Sequence, residues 1–221
     1  MSYAQHFLAN GHPTGLWLEE FAIPYRAARE AGITVTVASP RGGPVPLHPK
    51  TQPDARQRHD WATALEALCD SATLASVKDR LFDAVFLPGG HGPLVDLADD
   101  ATLHALLARH DREGRLIAAV CHGPAALVRA RRHDGLPLLQ RRRATGFSNA
   151  KERLSGLHDA VPFLLQDGIQ EAGADYRSAL LPFQSHVERD GHLLNGQNPQ
   201  SSSAIARELV DALVGADAAA K

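Results

Sequence analysis

Along the chain, runs of consecutive apolar residues alternate with stretches whose apolar positions recur every three or four residues. That alternation predicts βαβ units arranged around a mainly parallel sheet. The β-branched run Ile33-Thr34-Val35-Thr36-Val37-Ala38, entered through Gly32 and stopped by Ser39-Pro40, predicts one strand. A second is predicted at Ala84-Val85-Phe86-Leu87, closed by Pro88-Gly89-Gly90, and a third at Leu116-Ile117-Ala118-Ala119-Val120, ending on Cys121. Strands apolar at nearly every position suit a sheet covered on both faces. Helices are expected over residues 17–30, 62–79 and 101–113.

Beyond Cys121 the pattern loosens. It predicts a short helix over 124–131, with proline near its first turn, a short strand over 144–147 and a helix over 159–168. A last helix is expected over 203–214, with N-caps available in Ser201-Ser202-Ser203. The proline-rich stretch 40–58 reads as an irregular insertion, and 216–221 as a frayed tail. Residues 1–14 hold no apolar run that could make an opening strand.

Composition narrows the class without naming a chemistry. At 221 residues, 44% hydrophobic and 22% charged, the chain is of ordinary globular make-up, and with no linker or repeat it reads as a single domain over 1–221. A formal net charge of −2 removes the general attraction on which nucleic-acid binding depends. Two cysteines, Cys69 and Cys121, exclude a disulfide scaffold. No stretch has the length of a membrane span, and the first residues lack the pattern of a signal peptide, so a cytoplasmic, reducing setting is expected.

The most informative segment is Leu116-Ile117-Ala118-Ala119-Val120-Cys121-His122-Gly123-Pro124-Ala125-Ala126. An apolar strand runs straight into a thiol, and a helix follows within a few residues. This is a nucleophile-elbow arrangement with cysteine where hydrolases of the G-x-S-x-G type carry serine. Unpaired N–H groups at the helix start would stabilise a thiolate, and the adjacent His122 could move protons. The same letters also fit a small core cysteine beside an incidental histidine. Cys69 has no such context and reads as a core or half-buried residue.

A glycine loop, Leu87-Pro88-Gly89-Gly90-His91-Gly92-Pro93, follows the preceding strand. It matches neither the dinucleotide fingerprint nor the P-loop. Beside the elbow, the Gly90 and His122 N–H groups could bind a developing oxyanion, although the loop alone reads equally as a tight turn. Glu19 and Glu20 point about 100° apart on a helix, so one can face inward while the other is solvated. Glu152 is unremarkable alone, and the arginines at 129, 131, 132 and 141–143 read as a solvated surface. Although the chain has 12 histidines, no His/Cys spacing suits a metal.

Taken in order, these segments resemble the ThiJ/PfpI family of the class I glutamine-amidotransferase-like superfamily, in its glyoxalase III and heat-shock chaperone branch. The matching text is Thr14-Gly15-Leu16-Trp17-Leu18-Glu19-Glu20 with Pro24-Tyr25, then Ala38-Ser39-Pro40-Arg41-Gly42-Gly43, then the glycine loop and the elbow. It continues through Thr145-Gly146-Phe147-Ser148-Asn149 to Glu152, Val161-Pro162-Phe163-Leu164-Leu165 and Asn195-Gly196-Gln197-Asn198-Pro199.

The resemblance implies an α/β, flavodoxin-like sandwich with helices on both faces, functioning as a homodimer. Members of the family usually open with an apolar strand ending in Thr-Ser. Here only Ser2-Tyr3 stands at that ending, so the first strand is expected to be missing, with a start site placed too far downstream as the simplest reason. The resemblance further implies a catalytic set of Cys121, His122, Glu20 and Glu152. In it Glu20 exchanges a proton with the thiol, and Glu152 orients His122. The implied reaction converts a small 2-oxoaldehyde, methylglyoxal, to D-lactate without metal, nicotinamide or other cofactor, and deglycase activity could accompany it. Two alternatives remain open at this level: a stress-related holdase chaperone, and an intracellular cysteine peptidase or amidase of the same superfamily. Glutamine amidotransfer fits less well, because His122 directly follows Cys121 instead of lying far downstream.

Overall fold

The computed structural model describes residues 1–7 and 11–219, with side chains described as far as residue 215. The first regular element is α1 (Leu18–Glu30), which opens after Trp17 and buries Leu18, Glu20, Phe21, Ala22, Pro24 and Ala28. Strand β1 is only Ala38–Ser39. Of the predicted strand at 33–38, ladder pairing reaches Ala38 alone. Ile33, Val35 and Val37 are only partly buried and Thr34 and Thr36 are exposed, so the run has extended apolar character without a sheet on both sides.

The stretch expected to be irregular contains α2 (Ala55–Asp60), closed at its start by a capping box between Asp54 and Gln57. The single helix expected over 62–79 is instead three elements: α3 (Ala62–Cys69), β2 (Ala72–Thr73) and α4 (Leu74–Val77). Asp70-Ser71 breaks the helix because Ser71 exchanges two backbone hydrogen bonds with Gly43, and Ala72 N–H donates to Val37 O. Thr73 then caps α4 by accepting from Ser76 N–H. At the end of α3 it is Leu68 that turns inward, while Cys69 is exposed rather than packed.

Next come β3 (Ala84–Leu87), α5 (Pro93–Asp96), α6 (Ala101–Arg112) and β4 (Leu116–Val120). Asp100 caps α6 by accepting from Leu103 N–H. The helix buries Leu103, Leu106 and Leu107. The predicted helix at 124–131 shrinks to α7 (Ala125–Val128). Strand β5 is Arg143–Ala144, followed by α8 (Asn149–Leu154), which the sequence pattern did not announce. Helix α9 is Leu165–Glu171, later than the predicted 159–168, because the chain is still turning through Pro162. Then follow β6 (Asp175–Tyr176), β7 (Val187–Asp190), β8 (Leu193–Gly196) and α10 (Ser202–Ala219). The helical backbone of α10 covers most of the expected tail, and residues 220–221 lie outside the described residues.

The central sheet runs β3-β4-β8-β7, with β3, β4 and β8 parallel and β7 antiparallel at the edge. Every residue of β4 is buried. Helix α6 packs against β3 and β4, α10 against β4 and β8, and α1 against α10. This is the expected α/β architecture, a parallel-dominated sheet flanked by helices. Among the described residues no strand precedes Ala38, and the β1-β2 pair forms a ladder of its own, separate from β3. Among the described residues no helix is long and apolar enough to cross a membrane.

Candidate active site

At the end of β4 the chain turns at once, and Cys121 adopts φ 59°. That left-handed conformation costs an ordinary residue about 1–2 kcal/mol, and persists because its surroundings over-determine it. Cys121 N–H donates to Gly196 O at 2.9 Å, and Cys121 O accepts from Phe147 N–H at 2.9 Å. Gly123 lets the turn pass under β3, since a Cβ there would stand 2.0 Å from Leu87 O. The sequence motif is thus an elbow in three dimensions, pinned from β8 and from the segment before α8.

Helix α1 delivers Glu20 to the same point. Its carboxyl is buried, accepts from Gly89 N–H at 2.8 Å through Oε2, and borders Gly89 together with the Cys121 side chain. Burial pushes its pKa up to about 8. The thiol is pushed well above its ordinary value too, by burial first and then by Glu20. This corrects the expectation of a thiolate stabilised by a helix start. Helix α7 is a single turn with little dipole to offer, and the low-dielectric, acidic surroundings dominate. Glu20 and Cys121 are thus two neighbouring acids, both raised chiefly by burial.

His122 is fully buried, with Nδ1 3.4 Å from Cys121 Sγ. Its Nε2 donates to Glu152 Oε2 at 2.7 Å, and Nδ1 is the ring atom that faces the thiol. Burial alone would raise the Glu152 carboxyl, but the two imidazoles beside it outweigh burial and hold it well below the usual carboxylate range. The second imidazole is His91, whose Nε2 donates to Glu152 Oε1 at 2.9 Å and whose ring lies 4.0 Å from that of His122. His91 is pushed down to about 4, mainly by burial, and so stays neutral.

The four side chains expected to act together, Cys121, His122, Glu20 and Glu152, are brought together. Of the two expected oxyanion donors, the His122 amide borders Gly89 beside the Cys121 side chain, while Gly90 turns at φ 76° against Gly15 and Trp17. Among the described residues neither amide has a backbone acceptor. Sequence reasoning missed three neighbours. His91 stood in the glycine loop without a role. His48 came from the stretch read as irregular, yet its ring lies 5.3 Å from Trp17 and 6.3 Å from His91. Lys151 is buried on α8 beside Glu152. Only the glycine-loop position of His91 carried any signal.

Donor atoms of His91, His122 and Glu152 all lie within 4.8 Å of one another, a proximity that no sequence spacing foretold. In this arrangement each carboxylate oxygen accepts from one imidazole, so the three form a hydrogen-bonded relay.

The description of the DJ-1/PfpI family matches residues 14–212, nearly the whole chain and every residue of the site just described. The chain belongs to the DJ-1/PfpI family. Among its relatives, a Schizosaccharomyces pombe protein named glutathione-independent glyoxalase hsp3102 is 27% identical, over 96% of this chain and 94% of that protein. A Bos taurus protein named glutamine amidotransferase-like class 1 domain-containing protein 1 is 30% identical, over 92% and 90%. Among solved structures, the 24 kDa rapid encystment protein of Francisella tularensis is 32% identical, with a TM-score of 0.87 over 96% and 95% of the two chains. This DJ-1/PfpI chain therefore spans almost the full length of proteins that carry different functional names.

Proposed function

We propose that this protein is a glutathione-independent glyoxalase that converts methylglyoxal and water to D-lactate on Cys121. The observation that carries the reading is the placement of one thiol between two proton carriers: His122 Nδ1 at 3.4 Å, and a buried Glu20 with its pKa raised to about 8. Isomerising a 2-oxoaldehyde requires a nucleophile for the aldehyde carbon and a group able to carry a proton between neighbouring carbons. The glyoxalase name of the S. pombe relative supports the same choice.

Sγ adds to the aldehyde carbon as the thiol proton passes to His122, which hands it on to the new oxyanion held by the Gly90 and His122 N–H groups and so is free again as a base. The hemithioacetal then loses its C–H proton to the same base, giving an enediol. Return of the proton to the adjacent carbon yields a lactoyl thioester. Water hydrolyses it, releasing lactate and restoring the thiol. Electrons move only within the substrate, so no external oxidant or reductant enters. Glu152 keeps His122 in the tautomer that can accept from sulfur. A homodimer in the cytoplasm belongs to the same proposal, on the family resemblance.

Purified protein given methylglyoxal without glutathione is expected to form D-lactate, and Cys121→Ser is expected to lose at least about 10³-fold in kcat/KM. A serine variant as active as wild type would rule out this mechanism. The holdase alternative draws support from one loop, where Leu180, Leu181 and Phe183 are exposed together. Aggregation suppression that persists in Cys121→Ser separates the two readings.

A further inference from the structure

One ionisable group in the site has no part in the reaction above. Lys151 is 1% exposed, and among the described residues its Nζ has no hydrogen-bond partner. The ammonium lies 5.9 Å from the centroid of Phe147, whose ring lies 4.6 Å from His122 and whose N–H is bonded to Cys121 O. Cys121 is the ionisable group whose charge Lys151 feels. The cation therefore sits within electrostatic reach of the sulfur that the chemistry uses.

Burying an ammonium without a partner is costly, and a contact at the outer limit of cation–π range offsets little of that cost. No group among the described residues makes up the difference. Glu152, the adjacent residue, has both oxygens occupied by His91 and His122. Glu20 accepts from Gly89 through Oε2, and burial keeps it largely protonated at neutral pH. His48 and His91 are held neutral, each pushed down to about 4 mainly by burial. Burial lowers Lys151 to about 8, so the ammonium still predominates at neutral pH. The site thus holds a positive charge left unpaired by the described residues, within electrostatic reach of a nucleophile whose other charged neighbours are acids.

We propose that Lys151 is the anion-pairing residue of the site, selecting for reaction at Cys121 carbonyl compounds that bear a carboxylate beside the reacting carbon. This rests on the glyoxalase reading, with Cys121 as the nucleophile. Because a carboxylate cannot take the place of the ketone in the enediol step, such compounds stop at the hemithioacetal and act as competing ligands of the site. Methylglyoxal develops negative charge only during reaction, whereas an aldehyde with an adjacent carboxylate, such as glyoxylate, brings its own. The carboxylate would supply the oxygens that Nζ lacks and leave the aldehyde carbon over the sulfur.

The test uses two alkylating agents of nearly equal size, anionic iodoacetate and neutral iodoacetamide, with modification of Cys121 followed by mass spectrometry so that exposed Cys69 does not interfere. In Lys151→Met the ratio of the iodoacetate rate to the iodoacetamide rate is expected to fall about tenfold, and in Lys151→Arg to stay near wild type. A purely structural lysine would move both rates together, so a Lys151→Met ratio within twofold of wild type overturns the proposal. Should that variant not fold, the wild-type protein answers alone. D-lactate is expected to protect Cys121 from iodoacetamide at concentrations where neutral lactamide does not; equal protection by both, or by neither, overturns it. Alkylation does not require turnover. Loss of the glyoxalase reading would therefore appear as no lactate from methylglyoxal, with the charge selectivity intact. Loss of this proposal would appear as lactate formation without charge selectivity.

Discussion

Glu20 shows how strongly a single buried acid can depend on its setting. Its carboxyl is raised from 4.5 to about 8, chiefly by burial. Below pH 4.5 it is protonated in folded and unfolded chains alike, and folding is not penalised. Between 4.5 and 8 the unfolded chain releases a proton that the folded protein retains, so stability falls steadily as pH rises through that window. Glu20→Gln removes the titration. Its melting temperature relative to wild type is expected to rise from pH 5 to pH 8, by the equivalent of several kcal/mol at most, as measured by thermal unfolding across that range. An unchanged difference between pH 5 and 8 would show that Glu20 is not the buried acid described. Glu20 and Glu152 became candidates only through family resemblance, and His91, His48 and Lys151 were not legible as site residues. The reason is distance along the chain: Glu152 meets His91 across 61 residues and His122 across 30, and Glu20 meets Gly89 across 69.

Elements succeed or fail as predictions according to whether their neighbours agree with their local pattern. Strand β4 was legible because all five of its residues are apolar and all five are buried between parallel partners. The stretch 62–79 was not, because the periodic pattern crosses Ser71, where pairing with Gly43 overrides helix continuation. The elbow joins strand to helix under tight steric control. Gly123→Ala would set a Cβ 2.0 Å from Leu87 O and 2.9 Å from Val120 O, both backbone atoms that cannot move aside singly. We expect a loss of about 3 kcal/mol in denaturant unfolding, together with slower alkylation of Cys121 as the turn shifts. Full stability and full thiol reactivity in that variant would contradict the described packing.

Across the whole molecule the sheet is unevenly supported. Ladder bonds hold β4 on both sides, while the residues before β1 run extended with partly exposed side chains, and the β1-β2 pair is separate from the central sheet. The N-terminal amine of Met1 donates to Ala38 O at 2.6 Å, beside that short pair. Opening free energies should therefore differ across the fold. Amides of Thr34, Val35 and Thr36 are expected to exchange with solvent at least about 10³-fold faster than those of Ile117 to Val120. Comparable protection in a hydrogen-exchange experiment would mean that the 33–37 run is paired in solution.

The sequence by itself determined the α/β class, the buried central strand and the thiol–imidazole pair at its end, because each depends on residues adjacent in the chain. Apolar runs, a turn and a capped helix are local physics. Tertiary structure alone decided which acid faces the thiol, that Glu152 serves two imidazoles, that Cys69 is exposed, and that Lys151 is buried without a hydrogen-bond partner among the described residues. Those facts depend on the dielectric and on the neighbours that packing supplies. Burial raises one carboxyl to about 8, whereas two imidazoles hold another well below its ordinary range. No single sequence pattern distinguishes those two environments, because the same residue type carries both.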